Sequence, residues 1–228
     1  MAQIGFNETP RIAAVNEPHL ACVLLMDTSG SMYGCIDNLN QSINNFKNSV
    51  SMDELSRKRV DVAVVAFDDD TRVEMPFTPL AEMEPVCLST GGCTEMGHAI
   101  NVAIDMVKER NRFYQEMGTP CFKPWIFMIT DGAPTDSIDA AAQRVHAEEA
   151  KGKLKFFVVG VDDYDKNLMF TITNRVMELR STDFTGIFNW LSESMVTISV
   201  SKPSDEAKLG MLPVDARRAD PDRDISDW

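Results

Sequence analysis

The sequence predicts an α/β fold, a doubly wound, mostly parallel six-stranded sheet with one antiparallel edge strand and helices on both faces. Three observations carry this. Residues 21–26, 61–67, 125–130 and 156–161 are apolar at nearly every position, as strands covered on both faces are. The stretches between them repeat apolar residues at helical spacing. Strands alternating with helices in this way build an open parallel sheet.

Residues 1–18 are weakly patterned and read as an N-terminal extension. The first strand, 21–26, ends at Asp27. Ile36, Leu39, Ile43, Phe46 and Val50 then mark a helix. The second strand, 61–67, runs into Asp68-Asp69-Asp70, which reads as a solvated turn at the far end of a hairpin or on the rim. Val73, Met75 and Phe77 alternate with Arg72 and Glu74, as on a half-exposed antiparallel edge strand. Gly91-Gly92-Cys93-Thr94 leads into a helix marked by Met96, Ile100, Ile104 and Val107. The third strand, 125–130, ends at Asp131 and is broken by Gly132-Ala133-Pro134. Asp136 reads as the N-cap of a helix reaching Ala150. The fourth strand, 156–161, precedes the acidic loop Asp162-Asp163-Tyr164-Asp165, where helix capping is the plainest role, and a short helix. Residues 176–179 read as the last edge strand, and Phe188, Leu191, Met195 and Ile198 as the final helix. The organisation expected is an extension (1–18), one domain (19–201) and a polar tail (202–228), with no internal repeat.

The 228 residues are 44% hydrophobic and 25% charged, ordinary for a globular chain with a sizeable core. A formal net charge of −13 argues against nucleic-acid binding, which needs a concentrated basic surface. It also disfavours anionic membranes and suits metal cations or basic partners. No apolar run reaches the length of a membrane span, and no basic segment followed by an apolar stretch marks a secretory signal. Cys22, Cys35, Cys87, Cys93 and Cys121 form an odd set without a C-x-x-C pair. Reduced thiols and a cytoplasmic location are therefore expected.

In such a sheet, ligands gather beyond the carboxyl ends of the strands, where the strand order reverses. Asp27 and Asp131 both end strands, so they converge if those strands are neighbours. Ser29 and Ser31 follow at a two-residue period, and Gly30 lets the backbone bend between them. The set is all oxygen with only two formal negative charges, which suits a hard divalent cation such as Mg²⁺.

The pattern Asp27-Thr-Ser29-Gly-Ser31 with the distant Thr130-Asp131-Gly132 resembles the von Willebrand factor A family and its metal-ion-dependent adhesion site. That site has the form D-x-S-x-S, a loop threonine and a strand-end aspartate. Thr94, which opens a helix after a Gly-Gly pair, fits the threonine better than Thr90. The likeness is closer to a bacterial tellurium-resistance branch (TerY-like), over about residues 19–208. It includes Gly92-x-Thr94-x-Met96-Gly97, Pro124-Trp125-Ile126 and Gly132-Ala133-Pro134-Thr135-Asp136. Residues 156–161 and Phe188-x-Trp190-Leu191-Ser192-x-Ser194 belong to it as well. The resemblance implies that Asp27, Ser29, Ser31, Thr94 and Asp131 bind Mg²⁺ or Mn²⁺, directly or through water. It further implies that a protein partner donates a Glu or Asp to the metal, in a bacterial stress-response or tellurite-resistance system. A protein kinase or PP2C-like phosphatase is the partner implied, with no nucleic acid and no membrane.

Plainer readings stand beside these. D-x-S-x-S alone is also a helix-capping turn. His98 lies one turn beyond Thr94, where a solvent-facing or packed histidine is the commoner case, while His19 and His146 show no partner pattern. Cys35 and Cys93 flank the metal loops, but a thiol is a poor ligand for a hard cation. Trp125, Trp190 and the methionines read as core, and Trp228 as a terminus rather than a docking anchor. The chain is not expected to be an enzyme. The rival is a Mg²⁺-dependent phosphohydrolase with Asp27 as nucleophile. Enzymes of that type with D-x-D carry a second aspartate where Ser29 stands. G-x-S-x-G and a P-loop are both missing.

Overall fold

The computed structural model describes residues 11–205 and 209–220. The readings placed on residues 1–10 and on Trp228 lie outside the described residues. The strands are β1 (Leu20–Asp27), β2 (Val60–Phe67), β3 (Thr71–Pro79), β4 (Trp125–Thr130), β5 (Lys155–Val161), β6 (Val176–Leu179) and β7 (Ala216–Arg218). They form one sheet in the order β3-β2-β1-β4-β5-β6-β7. The five strands from β2 to β6 are mutually parallel, while β3 pairs antiparallel with β2 at one edge and β7 with β6 at the other.

The sheet therefore has seven strands, not six, and two antiparallel edges. The extra strand lies within the segment read as a polar tail. Its three residues, Ala-Arg-Arg, carry no apolar alternation. Tertiary contacts hold it instead: Ala216 and Ala219 are buried, Arg217 pairs with Glu178, and Trp190 Nε1 donates to the Gly210 carbonyl at 3.0 Å.

The helices are α1 (Ile36–Ser51), α2 (Glu54–Arg59), α3 (Met96–Glu116), α4 (Asp139–Ala150), α5 (Lys166–Ile172) and α6 (Thr185–Ser199). Because successive strand residues point to opposite faces, each fully buried strand feeds two cores. Leu24, Met26, Phe127 and Phe157 pack with Leu39, Ile43 and Phe46 of α1 and with Phe188 and Trp190 of α6. Val23, Leu25, Met128 and Val158 pack with Ile100 and Ile104 of α3, Val145 of α4 and Met169 of α5. Phe157 meets the Trp190 ring edge-on at a 6.0 Å centroid distance, so the two tryptophans read as core are core. Among the described residues, no helix is long and apolar enough to cross a membrane.

His19 does have a partner. At the amino edge of the sheet its Nδ1 lies 3.0 Å from Asp61 Oδ2 and its Nε2 lies 2.9 Å from the Ala14 carbonyl oxygen. Arg110 and the Tyr114 hydroxyl also reach Asp61, and all four side chains are buried. The segment before β1 is held there too, by Thr119 Oγ1 donating to the Val15 carbonyl at 2.7 Å and by the Arg59–Glu17 pair.

Candidate metal centre

The chain runs from β1 to β2 on one side and later returns to β4 on the other, so the strand order reverses between β1 and β4. Met26 is opposite Ile129 in that parallel pair, which brings Asp27 and Asp131 to the same carboxyl edge. Asp27 is fully buried. Its Oδ1 accepts the Ser29 N–H at 2.8 Å and its Oδ2 accepts the Thr130 hydroxyl at 2.6 Å. Ser29 Oγ is 3.1 Å from Ser31 Oγ, and Ser31 Oγ donates to Asp131 Oδ1 at 2.7 Å. Four of the five expected residues thus form one continuous hydrogen-bonded chain.

Thr94 arrives from a different loop. A methyl placed on Gly132 would sit 3.5 Å from Thr94 Oγ1, 3.8 Å from Ser31 Oγ and 3.9 Å from Asp27 Oδ2. Oxygens of the Asp27–Ser31 segment and of the Thr94 loop therefore converge beside Gly132, on the loop that carries Asp131. Among the described residues, no three His, Cys, Asp or Glu side chains form a metal-holding group. Hydroxyls supply the remaining oxygens, and a hard divalent cation accepts such a set.

The loops are tied to one another by main-chain bonds. Thr28 N–H donates to the Phe67 carbonyl at 2.8 Å, Gly91 N–H to the Thr28 carbonyl at 2.9 Å, and Gly30 N–H to the Gly92 carbonyl at 3.2 Å. Thr135 N–H donates to the Thr94 carbonyl at 2.9 Å, while Thr94 N–H reaches Thr135 Oγ1 at 3.1 Å.

Two acidic features behave differently from their sequence reading. Asp136 does not cap α4, which begins at Asp139. Its carboxylate accepts the N–H groups of Gly97 and His98, at 3.0 and 2.9 Å, and so caps α3 from across the site. A Cβ on Gly97 would lie 2.4 Å from the Ser137 carbonyl oxygen, so only glycine allows this close approach.

The turn Asp68–Asp70 lies at the metal edge, because β2 runs parallel to β1 and Phe67 is level with Asp27. Asp68 is buried, accepts from the Thr28 hydroxyl at 3.1 Å and is held by Arg72 at 2.7 Å. Its main-chain carbonyl accepts the Glu95 N–H at 2.8 Å, and Asp69 Oδ1 accepts the Cys93 N–H at 2.7 Å. Gly92 adopts a positive φ of 67°, and a Cβ there would strike the Asp69 carboxylate at 2.4 Å. These braces were missed from the sequence. The one signal for them was the parallel direction of β2.

The electrostatics are those of an anionic pocket short of a counter-charge. Burial pushes the Asp27 carboxyl up to about 6, against the hydrogen bonds from Ser29 and Thr130 that favour its ionised form. Burial also raises Asp131; the Ser31 hydrogen bond opposes this, and the Asp162 charge adds to it. Asp162 holds φ 51°, while Asp165 caps α5 by accepting the Leu168 N–H at 3.0 Å. Cys35 is buried against Met32, and burial pushes its thiol up to about 11. It is a packing residue. Cys93 and His98 are exposed, with His98 Nδ1 2.9 Å from Thr71 Oγ1. Tyr33, two residues past Ser31, is 81% exposed.

Residues 22–188 match the von Willebrand factor type A domain. No curated protein matches the chain. Solved structures share its fold at low identity. Proximal thread matrix protein 1 from the mussel byssus, with a zinc-occupied MIDAS motif, is 18% identical with a TM-score of 0.57; the match covers 79% of this chain and 48% of that one. A von Willebrand factor type A protein from Catenulispora acidiphila is 16% identical with a TM-score of 0.61, over 79% of this chain and 43% of that one. The vWF domain of the type V pili tip protein Mfa5 from Porphyromonas gingivalis is 12% identical with a TM-score of 0.60, over 83% and 98%. This chain thus spans less than half the length of the mussel and Catenulispora chains.

Proposed function

This chain belongs to the von Willebrand factor type A family, and on that premise we propose that it is a metal-dependent protein-binding module. Asp27, Ser29, Ser31, Thr94 and Asp131 hold a divalent cation, Mg²⁺ or Mn²⁺, and a partner protein completes the coordination with a Glu or Asp. The observation that carries this reading is the convergence of Thr94 Oγ1, Ser31 Oγ and Asp27 Oδ2 beside Gly132. Two carboxylates only balance a divalent cation, and the neutral hydroxyls add no charge, so the ion keeps an electron-poor coordination position that an incoming carboxylate can fill.

The rim explains why metal governs capture. Asp27, Asp131 and Asp162 already act on one another unfavourably. Without the cation this edge repels an acidic partner, and with it that repulsion is offset and a coordination position becomes available. Tyr33, exposed beside the metal loop, supplies an aromatic anchor of the kind that dominates interfaces. Similarity to a byssus matrix protein and a pilus tip domain also favours binding over catalysis. Ser29, at the position of the second aspartate of D-x-D enzymes, and the absence of that acid/base group favour it too. We place the module in the cytoplasm of a bacterium, in a stress-response or tellurite-resistance system, with a protein kinase or PP2C-like phosphatase as partner. The cytoplasmic placement rests on the odd, unpaired set of cysteines, and the system and partner rest on the sequence resemblance.

The test is capture of partners from a lysate in Mg²⁺ and in EDTA, with wild type and Asp27→Ala. A partner retained only by wild type in Mg²⁺ supports recruitment by metal, and equal capture in all four conditions overturns it. Turnover of a generic phosphate ester that is lost in Asp27→Asn would instead favour the phosphohydrolase.

A further inference from the structure

The turn between β2 and β3 braces both the Asp27–Ser31 segment and the Thr94 loop from outside the oxygen cluster. Asp68 and Asp70 close the turn on themselves. The Asp68 N–H donates to the Asp70 carbonyl at 3.0 Å, and the Asp70 N–H to Asp68 Oδ1 at 3.3 Å. Carboxylates that bond the main chain two residues on favour such turns. Arg72, on β3, grips the Asp68 carboxylate with both arms of its guanidinium, Nη1 to Oδ1 at 2.7 Å and Nη2 to Oδ2 at 2.8 Å. Its Nε donates to Glu74 at 3.3 Å. A bidentate pair of this kind fixes direction as well as distance. The hydrogen bonds from Arg72 hold the Asp68 carboxyl below its usual range, against the effect of burial. With both oxygens engaged, Asp68 is a brace and not a ligand.

Two sets of bonds lead from this turn to the metal loops. The first reaches Thr28, which stands between Asp27 and Ser29. Its hydroxyl lies 3.1 Å from both the Phe67 carbonyl oxygen and Asp68 Oδ2, and accepts from Arg72 Nη2 at 3.3 Å. Its N–H also donates to the Phe67 carbonyl. The second set reaches the residues on either side of Thr94. The Asp68 carbonyl takes the Glu95 N–H at 2.8 Å, and Asp69 Oδ1 takes the Cys93 N–H at 2.7 Å. One turn thus sets the spacing between the Asp27–Ser31 segment and Thr94, and Arg72 is the side chain that locks it.

On the divalent-cation reading of the centre, on which this rests, we infer that Arg72 and Asp68 are positioning residues that make it discriminate by ion size. Mg²⁺ demands near-octahedral oxygens at about 2.0–2.1 Å, whereas Ca²⁺ accepts about six to eight at about 2.3–2.6 Å in looser geometry. Loops tied to one turn hold their oxygens at one spacing, which favours the smaller ion. Loops released from it spread to suit the larger. Other effects of losing Arg72 act on both ions alike. Removing its positive charge strengthens Mg²⁺ and Ca²⁺ binding equally, since the two ions carry the same charge. A smaller population of folded protein weakens both equally. Only the ratio of the two affinities reports the spacing.

Calorimetric titration of Mg²⁺ and of Ca²⁺ into wild type, Arg72→Ala and Arg72→Lys tests it. The Arg72 side chain is 39% exposed on an edge strand, so neither change opens a core cavity. Lysine keeps the charge but not the fork. In both variants the Mg²⁺-to-Ca²⁺ affinity ratio should fall about tenfold, the lower end of what altered metal-site surroundings cost, with circular dichroism unchanged. If Arg72→Ala does not fold, Arg72→Lys alone decides. A ratio equal to that of wild type would overturn the clamp, whether the two affinities move together or stay where they are. Wild type that binds neither ion would remove the metal reading, and the clamp with it, so the two failures are told apart.

Discussion

Gly132 is the residue on which the proposed metal centre turns, because a side chain there would meet oxygens of Asp27, Ser31 and Thr94. Gly132→Ala would place a methyl at 3.5–3.9 Å from Thr94, Ser31 and Asp27, an ordinary packing distance that leaves the fold intact while filling the centre. We expect an unchanged melting temperature without metal and Mg²⁺ affinity lowered by about 10- to 100-fold, the scale seen when the surroundings of a metal site are altered. The threonine assignment has its own test. Thr94→Val should weaken Mn²⁺ binding measured by calorimetry, and Thr90→Val should not. At this scale the sequence was informative. The strand-end aspartates and the two-residue serine period follow from local geometry, and the structure brings Asp27, Ser29, Ser31, Thr94 and Asp131 to one edge. What the sequence concealed was Asp68 and Asp136, whose partners lie 40 and 38 residues away from them. An acidic residue before a helix looks like that helix's own cap, and nothing local reveals that it caps another.

Among the elements, α3 depends on a neighbour for its start. Glu95 at its N-cap makes no side-chain cap, so Asp136 satisfies the Gly97 and His98 N–H groups. Asp136→Ala should cost about 1 kcal/mol in denaturant unfolding, the usual worth of a cap. It should also lower metal affinity, since Thr94 is tied to the same loop through Thr135. Retained affinity would show that the cap and the metal loop are independent. The strands of the central sheet were legible because a strand covered on both faces is apolar at nearly every position, as β1, β2, β4 and β5 are. β7 was not, since a three-residue edge strand buries little and is selected by what packs on it, here the segment pinned by Trp190.

For the whole molecule, the two edges of the sheet divide the work. The carboxyl edge carries the proposed metal centre. The amino edge carries the buried group of His19, Asp61, Arg110 and Tyr114. Burial pushes the Asp61 carboxyl up, but the hydrogen bond from His19, the Arg110 charge and the Tyr114 hydroxyl together hold it below its ordinary range. A carboxylate with a lowered folded pKa stabilises the fold above its unfolded value of ~3.9 and loses that contribution as pH falls through the folded value. Asp61→Asn should therefore lose about 3–5 kcal/mol at pH 7, the cost of breaking a buried charge group. Its deficit against wild type should shrink below pH ~4 in denaturant unfolding; an equal deficit at pH 7 and pH 3 would contradict that role.

The central claim is that the reversal of strand order between β1 and β4 gathers one divalent-cation site from three loops. Calorimetric titration of Mg²⁺ into wild type and Asp27→Ala tests it most directly. One saturable site per wild-type chain, lost in Asp27→Ala while the fold's circular dichroism is retained, is the predicted result; equal affinity in the two proteins would contradict it.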